Sequence, residues 1–226
     1  KTIKLIKMLF KFKTNYNYKM TLALMFIVSL FSVSMINAQG IKRAGMEPDD
    51  YIEFEAESFN EQTNTSKREW KLMSKQITSK VRHDHDVNHS NGASKSKYLE
   101  VLPDMLYEGK GSKVIGKKEA GKTYCNKPCN TAVLSYNVNF KSAGKYYVWI
   151  RGFSTSGHDN SIHVGIDGNW PDSGQKLYIC EEKMNQWSWS SQQFGNSERC
   201  GSRERVFLEI ERPGPHKVMF SMREDG

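Results

Sequence analysis

The chain has 226 residues, of which 38% are hydrophobic and 12% aromatic, enough for one good core and little more. Its formal charge is +8, but six of the 33 basic residues (Lys1, Lys4, Lys7, Lys11, Lys13 and Lys19) fall in residues 1–38, which hold no acid. The remaining 27 basic residues face 25 acids, which excludes overall charge as grounds for general nucleic-acid binding.

The first 38 residues read as a secretory signal: lysines, then the apolar run from Thr21 to Ile36, then "NAQG" with Ala38 as the last residue before cleavage. Met20 stands directly before that run, a plausible initiator that would leave 1–19 upstream of the true start. The competing reading is a membrane anchor, because Met20 to Gly40 is uncharged. Residues 39–50 then form a short linker, and one domain spans 51–226.

That domain opens on "YIEFEAESF", Tyr51 to Phe59, where Glu53, Glu55 and Glu57 alternate with Ile52, Phe54 and Ala56. On a strand the three carboxylates emerge on one side and the apolar set enters a core. Three like charges in a row repel, so the row needs a cation or basic groups. Residues 60–96 are polar and charged, anchored only by Trp70, Leu72 and Met73, and read as a long surface excursion. Within it "HDHDVNHSNG" carries His83, Asp84, His85, Asp86 and His89. These are metal-ligand residue types, but a tract in a flexible loop lacks the orientation a metal site needs, so it reads as a solvated loop.

Short apolar runs then recur between Gly, Asn, Asp and Pro, with no sustained helical periodicity. Beside the opening stretch, strands are expected at Lys97–Leu102, Ala132–Phe140, Lys145–Phe153, Ser161–Asp167, Leu177–Cys180, Arg205–Glu211 and His216–Met222, with a turn at "RPGPH". Eight strands in this length suit an all-β, two-sheet jelly roll or sandwich.

Four cysteines in an exported chain are expected to pair. Their order along the chain suggests Cys125 with Cys129 and Cys180 with Cys200, out of three possible pairings. "CNKPC" is CxxxC among turn-forming residues rather than a thioredoxin-type CxxC, and reads as a loop staple. Hydrolase motifs such as GxSxG or HExxH are absent. The region from Thr155 to Ser191 sets Trp170, Trp187 and Trp189 beside loops dense in Asp, Asn, Ser and Gln, the mixture that stacks on sugar rings and bonds their hydroxyls. The alternation in "WSW" sends both indoles to one face, which can be the core or a platform.

Taken together, "FEAESF", "NGASKSKYLEVLPD", "YYVWIRGFSTSGHDNSIHVGIDGNWPDSGQKL", Cys180, "WSWSS", Cys200-Gly201 and "GPHKVMFSMREDG" resemble the galactose-binding-like β-sandwich modules of the carbohydrate-binding family 6 and 35 type, over roughly Tyr51 to Gly226. Such modules occur on secreted bacterial polysaccharide-degrading enzymes. The resemblance implies a jelly roll, a non-catalytic role in holding a polysaccharide through Asp159, Asn160, Trp170, Trp187 and Trp189, and a structural Ca²⁺ held by Glu55 and Glu57. The family pattern continues past "REDG" into one more strand bearing an Asp at the ion site, so the resemblance implies a longer protein with a downstream domain. The alternatives are the front part of a glycoside hydrolase or lyase, or a cell-surface adhesion domain. Two departures stand out: the Lys-rich insert carrying Cys125 and Cys129 lies outside the pattern, and His158 stands where an acid is expected before Asp159.

Overall fold

The computed structural model describes residues 4–12 (as backbone), 51–63, 68–77, 83–195, 200 and 204–226. Fifteen strands follow in chain order: β1 (Lys4–Phe12), β2 (Tyr51–Glu55), β3 (Glu61–Thr63), β4 (Glu69–Ser74), β5 (Lys97–Leu102), β6 (Tyr107–Glu108), β7 (Val114–Ile115), β8 (Val133–Phe140), β9 (Gly144–Phe153), β10 (Ser161–Ile166), β11 (Leu177–Tyr178), β12 (Ser188–Ser190), β13 (Gln192–Gln193), β14 (Phe207–Ile210) and β15 (Gly214–Met222). All eight expected strands are present. Short 3-10 turns are the only helical elements among the described residues, and no helix there is long and apolar enough to cross a membrane.

Two antiparallel sheets face each other. The first runs β12-β9-β1-β5-β4, with β14 also on β9 and β2 on β1; the second runs β13-β11-β10-β15-β8-β3. Alternation decides what lies between them. Val148 and Ile150 of β9, Leu99 and Val101 of β5, and Leu208 and Ile210 of β14 meet Tyr136, Val138, Ile162, Val164, Phe220 and Met222 in one core. Ile52 and Phe54 of β2 pack against it, as their spacing predicts, and Phe54 lies 4.9 Å from the Tyr136 ring. Past Glu55 the chain turns into a 3-10 segment, Ala56–Ser58, rather than continuing extended to Phe59, and Tyr136 donates its hydroxyl to the Ala56 carbonyl at 2.5 Å.

Two results were not foreseen. Lys4–Phe12, read from the sequence as part of a leader, pairs with β2, β5 and β9 inside the first sheet. The apolar run from Thr21 to Ile36 and the cleavage point at Ala38 lie outside the described residues. The second concerns the insert of residues 107–130, whose Thr123–Cys125 stretch lies over the outer face of the second sheet. There Cys125 N–H donates to the Arg223 carbonyl (2.7 Å) and Asp225 N–H to the Thr123 carbonyl (3.1 Å).

That cover buries charge. Asp225 is fully buried and accepts from Arg68 Nη2 (2.7 Å) and from the Met105 N–H (3.2 Å). Burial outweighs the attraction of Arg68 and pushes its carboxyl up to about 7. An Asp with a folded pKa above its unfolded value of about 3.9 takes up a proton on folding, so its contribution is complete below pH 4 and is lost as pH rises toward 7. Asp225→Asn removes this slope. Its unfolding free energy relative to the parent should improve from pH 4 to pH 7, by at most about 1.4 kcal/mol per unit; parallel urea-unfolding profiles across that range would refute the assignment.

Candidate functional site

The two predicted indoles of "WSW" lie on the outer face of the first sheet, not in the core. Trp189 faces outward on β12 opposite Arg151 of β9, while the inward partner of Ile150 is Ser190. Trp187, just before β12, is tied down. Its Nε1–H lies 3.1 Å from the His89 carbonyl and 3.3 Å from that of Asn91, and its ring meets Tyr98 and Phe153 edge-on at 5.7 and 5.5 Å. Arg151 adds a hydrogen bond from Nη2 to the Gly92 carbonyl (3.2 Å). Gly92 has φ +84°, and a Cβ there would sit 3.1 Å from Trp187 Cδ1, so the turn and the indole fit only with glycine.

The "HDHDVNHSNG" tract is a loop with His83, His85, Val87, Asn88, Asn91 and Gly92 exposed, as expected, but it is anchored at several points. Asn88 Nδ2 donates to the Ser74 carbonyl (2.9 Å), the His89 N–H to the Tyr98 hydroxyl (3.1 Å), and His85 stacks on Tyr107 at 3.8 Å. Asp84, Asp86 and Glu100 bring carboxylate oxygens within 4.8 Å of one another, and His89 Nε2 lies 3.3 Å from Asp86 Oδ2. The anchoring contacts come from β4, β5 and β6 nearby in sequence and from Arg151 and Phe153 of β9, about 60 residues on, which the tract's own polarity does not reveal.

Asp159 and Asn160 also look inward. Asp159 is fully buried and accepts from Ser154 Oγ, from the Thr155 and Ser156 N–H groups and from both of their hydroxyls at 2.9–3.2 Å, knitting the loop between β9 and β10. Burial pushes its carboxyl up to about 6. Asn160 donates its N–H to Glu224 Oε2 (3.3 Å) and accepts from the Ile179 N–H through its carbonyl (2.8 Å). Asp159 thus braces the loop through its side chain, and Asn160 through its backbone.

The half-exposed aromatics gather instead on the second sheet's outer face. Trp170 lies over Gly165, where a Cβ would come within 2.6 Å of the indole, and its Nε1–H donates to Asn130 Oδ1 (3.1 Å). Gln175 Nε2 donates to the Trp170 carbonyl and to Asp172 Oδ1, at 3.0 and 3.1 Å. At the other side of the insert Phe194, 49% exposed, meets Tyr178 edge-on at 5.5 Å. Sequence reasoning missed Phe194, Tyr178 and Tyr124: each is an isolated aromatic in a polar context, with no local signal that the fold would group them.

Between these rims the insert is held firmly. Disulfides join Cys125 to Cys129 and Cys180 to Cys200, the pairing that chain order suggested. His163, fully buried under the insert, accepts from the Lys176 N–H at Nδ1 (3.3 Å) and so donates from Nε2 to the Cys125 carbonyl (2.8 Å). Burial lowers its pKa to about 4 and keeps the ring neutral.

The two carboxylates predicted to hold a metal lie at the end of β2. Glu55 Oε1 accepts from Ser94 Oγ (2.8 Å), with Lys95 Nζ 4.0 Å away. The Oε2 atoms of Glu55 and Glu57 are both buried without a hydrogen-bond partner, and burial, with the Glu55 charge adding to it, raises the Glu57 carboxyl. Hard oxygens left unsatisfied in this way fit a calcium ion chemically.

No family model matches the chain, and no solved structure matches it. "Uncharacterized protein P23" of Formosa agariphila is 42% identical to it over 180 residues, 80% of this chain, and the chain spans 42% of that relative's length.

The clamp role of Trp187 makes a prediction. Trp187→Ala should lower stability by on the order of 3 kcal/mol and speed amide exchange across residues 83–92; unchanged melting together with unchanged exchange would show that the indole holds nothing.

Proposed function

We propose that this chain is an exported, non-catalytic carbohydrate-binding module of jelly-roll type, part of a larger polysaccharide-degrading protein. The observation that carries the reading is the pairing of half-exposed rings, Trp170, Tyr178 and Phe194, with Asn130, Gln175 and Gln193 on one sheet face. Flat rings stack on the C–H faces of sugars while amides fix hydroxyl orientation, and a rigid sheet holds both at constant spacing. The reading keeps Trp170 and adds Tyr178 and Phe194, because Trp187 and Asp159 have contacts that brace loops and Trp189 stands on the opposite sheet. A weak module of this kind raises the local concentration of whatever is attached to it at an insoluble substrate. The longer relative is consistent with such an arrangement.

Export is supported by the leader-like sequence and by two disulfides, which persist in oxidising compartments. Cleavage after Ala38 takes β1 out of the first sheet, so the mature chain needs another strand between β9 and β5. Amino-terminal sequencing of the exported protein decides this: Gln39 is expected as the first residue, and retention of Lys4–Phe12 would overturn cleavage at Ala38.

Glu55 and Glu57 would hold the calcium ion, whose charge offsets their mutual repulsion and ties β2 to the Ser94 turn. Saturating Ca²⁺, at about 100 times its Kd, should stabilise by about 2.7 kcal/mol and raise the melting temperature by about 5–10 °C. EDTA should reverse the shift and Glu57→Gln should abolish it; equal shifts in parent and variant would move the ion elsewhere.

Calorimetric titration against a panel of plant and algal polysaccharides tests the main reading. Saturable binding is expected, with Trp170→Ala and Phe194→Ala each weakening it about tenfold, equivalent to about 1.4 kcal/mol, at unchanged melting temperature. Absence of saturable binding to every glycan would reject it.

A further inference from the structure

Although the chain after residue 38 is nearly neutral, its positive charge is not spread evenly. Residues 107–130 hold six lysines, Lys110, Lys113, Lys117, Lys118, Lys122 and Lys127, against only Glu108 and Glu119. This insert alone therefore carries +4, and the rest of the chain after residue 38 is net acidic. All six lysines are exposed, and Glu119 pairs with just one of them, Lys122, at 2.7 Å. A concentrated single-sign field with solvent access attracts anions and is weakened by salt.

The field stands over aromatic rings. Lys118 Nζ lies 4.7 Å from the centre of the Tyr124 ring, and the Arg223 guanidinium lies 5.0 Å from the same ring and 4.9 Å from that of Phe194. Arg223 is itself fixed: Nη2 donates to the Tyr124 hydroxyl (3.0 Å), Nη1 pairs with Glu224 Oε1 (2.9 Å), and its side chain is almost wholly buried. The Cys125–Cys129 disulfide and the Tyr124↔Glu224 bridge hold Tyr124 in place. Lys117, Lys118 and Lys122 therefore project from the stapled turn that carries Tyr124, not from a free tail, and Lys110 and Lys113 extend the same charge along the preceding hairpin.

Building on the carbohydrate-binding reading above, we infer that the insert face selects anionic polysaccharide, chains bearing sulfate esters or uronate carboxylates, with Phe194 and Tyr124 taking the C–H face of a sugar and Lys113, Lys117 and Lys118 its charge. Flat rings among cations favour a charged sugar over a bare phosphate surface, because a sugar ring offers the apolar face that the rings need. Val114 and Ile115, 46% and 40% exposed on β7 of the β6–β7 hairpin, are too few to form a membrane-inserting face of the usual size.

The test is binding of the full chain to ι-carrageenan (sulfated), alginate (uronate) and laminarin (neutral) at about 0.05 and 0.5 M NaCl, across which the screening length falls several-fold. The expected result is at least about tenfold preference for one or both anionic glycans, lost at high salt and in the variant Lys113→Glu/Lys117→Glu/Lys118→Glu. Sulfated and uronate arms that differ identify which anion is read. Equal binding of laminarin and the anionic glycans, or salt-independent binding, overturns the inference while leaving a carbohydrate-binding module in place. Failure of all three glycans overturns both readings. Preferential binding to phosphatidylglycerol vesicles or duplex DNA, lost in the same variant, overturns the glycan assignment. The salt series on the parent protein keeps the test decisive if the triple variant fails to fold.

Discussion

Strand β10 and the second half of β15, from Val218 to Met222, are buried on both faces, and much of the molecule follows from that. Their inner side chains, Ile162, Val164, Val218, Phe220 and Met222, fill the core by the usual alternation. Their outer side chains are Ser161, His163, Ser221 and Arg223, and these are buried too. A polar face withdrawn from water must find partners or destabilise the fold. The insert supplies them through its backbone and through Tyr124, as Glu224 does from the strand end, so hydrogen bonds join the lid to this sheet alongside the apolar contact of Cys125 and Cys129 with the core.

The same arrangement explains where exposed chemistry is found. With the middle of the outer face covered, half-exposed rings stand at its margins, Trp170 on one side and Phe194 with Tyr178 on the other, and Tyr124 stands on the cover itself. The lid brings its own lysines to that margin. At the opposite sheet Trp187, Tyr98 and Phe153 serve a different end, locking a polar excursion against β5 and β9, with the Trp187 indole and the Tyr98 hydroxyl both bonded to its backbone.

The long strands were legible because alternation over six or more residues is a strong signal: Lys97–Leu102 has the bounds expected, and β8, β9, β10 and β15 differ from expectation by at most two residues at either end. Two- and three-residue strands such as β6, β11 and β13 carry almost no periodicity and form because a neighbour offers an edge. Trp187 and Trp189 could be placed on a common face by spacing, but whether that face was core or surface depended on Arg151 lying opposite. Asp159 illustrates the limit for sites, since an acid in a Ser-rich loop reads equally as ligand contact or as loop brace, and only five converging donors decide for the brace.

What the sequence by itself determined was the class of structure and its local chemistry: antiparallel strands, paired cysteines, carboxylates alternating with a core-facing set on β2, and a lysine-rich insert. These depend on neighbours within a few positions, where geometry is set by the backbone period. Tertiary structure decided which faces were covered. Whether His163 is a buried neutral ring, whether Trp187 is a clamp, and whether Phe194 stands exposed beside Arg223 all depend on segments dozens of residues away. Burial and electrostatic environment are properties of the assembled surface, and no local pattern carries them.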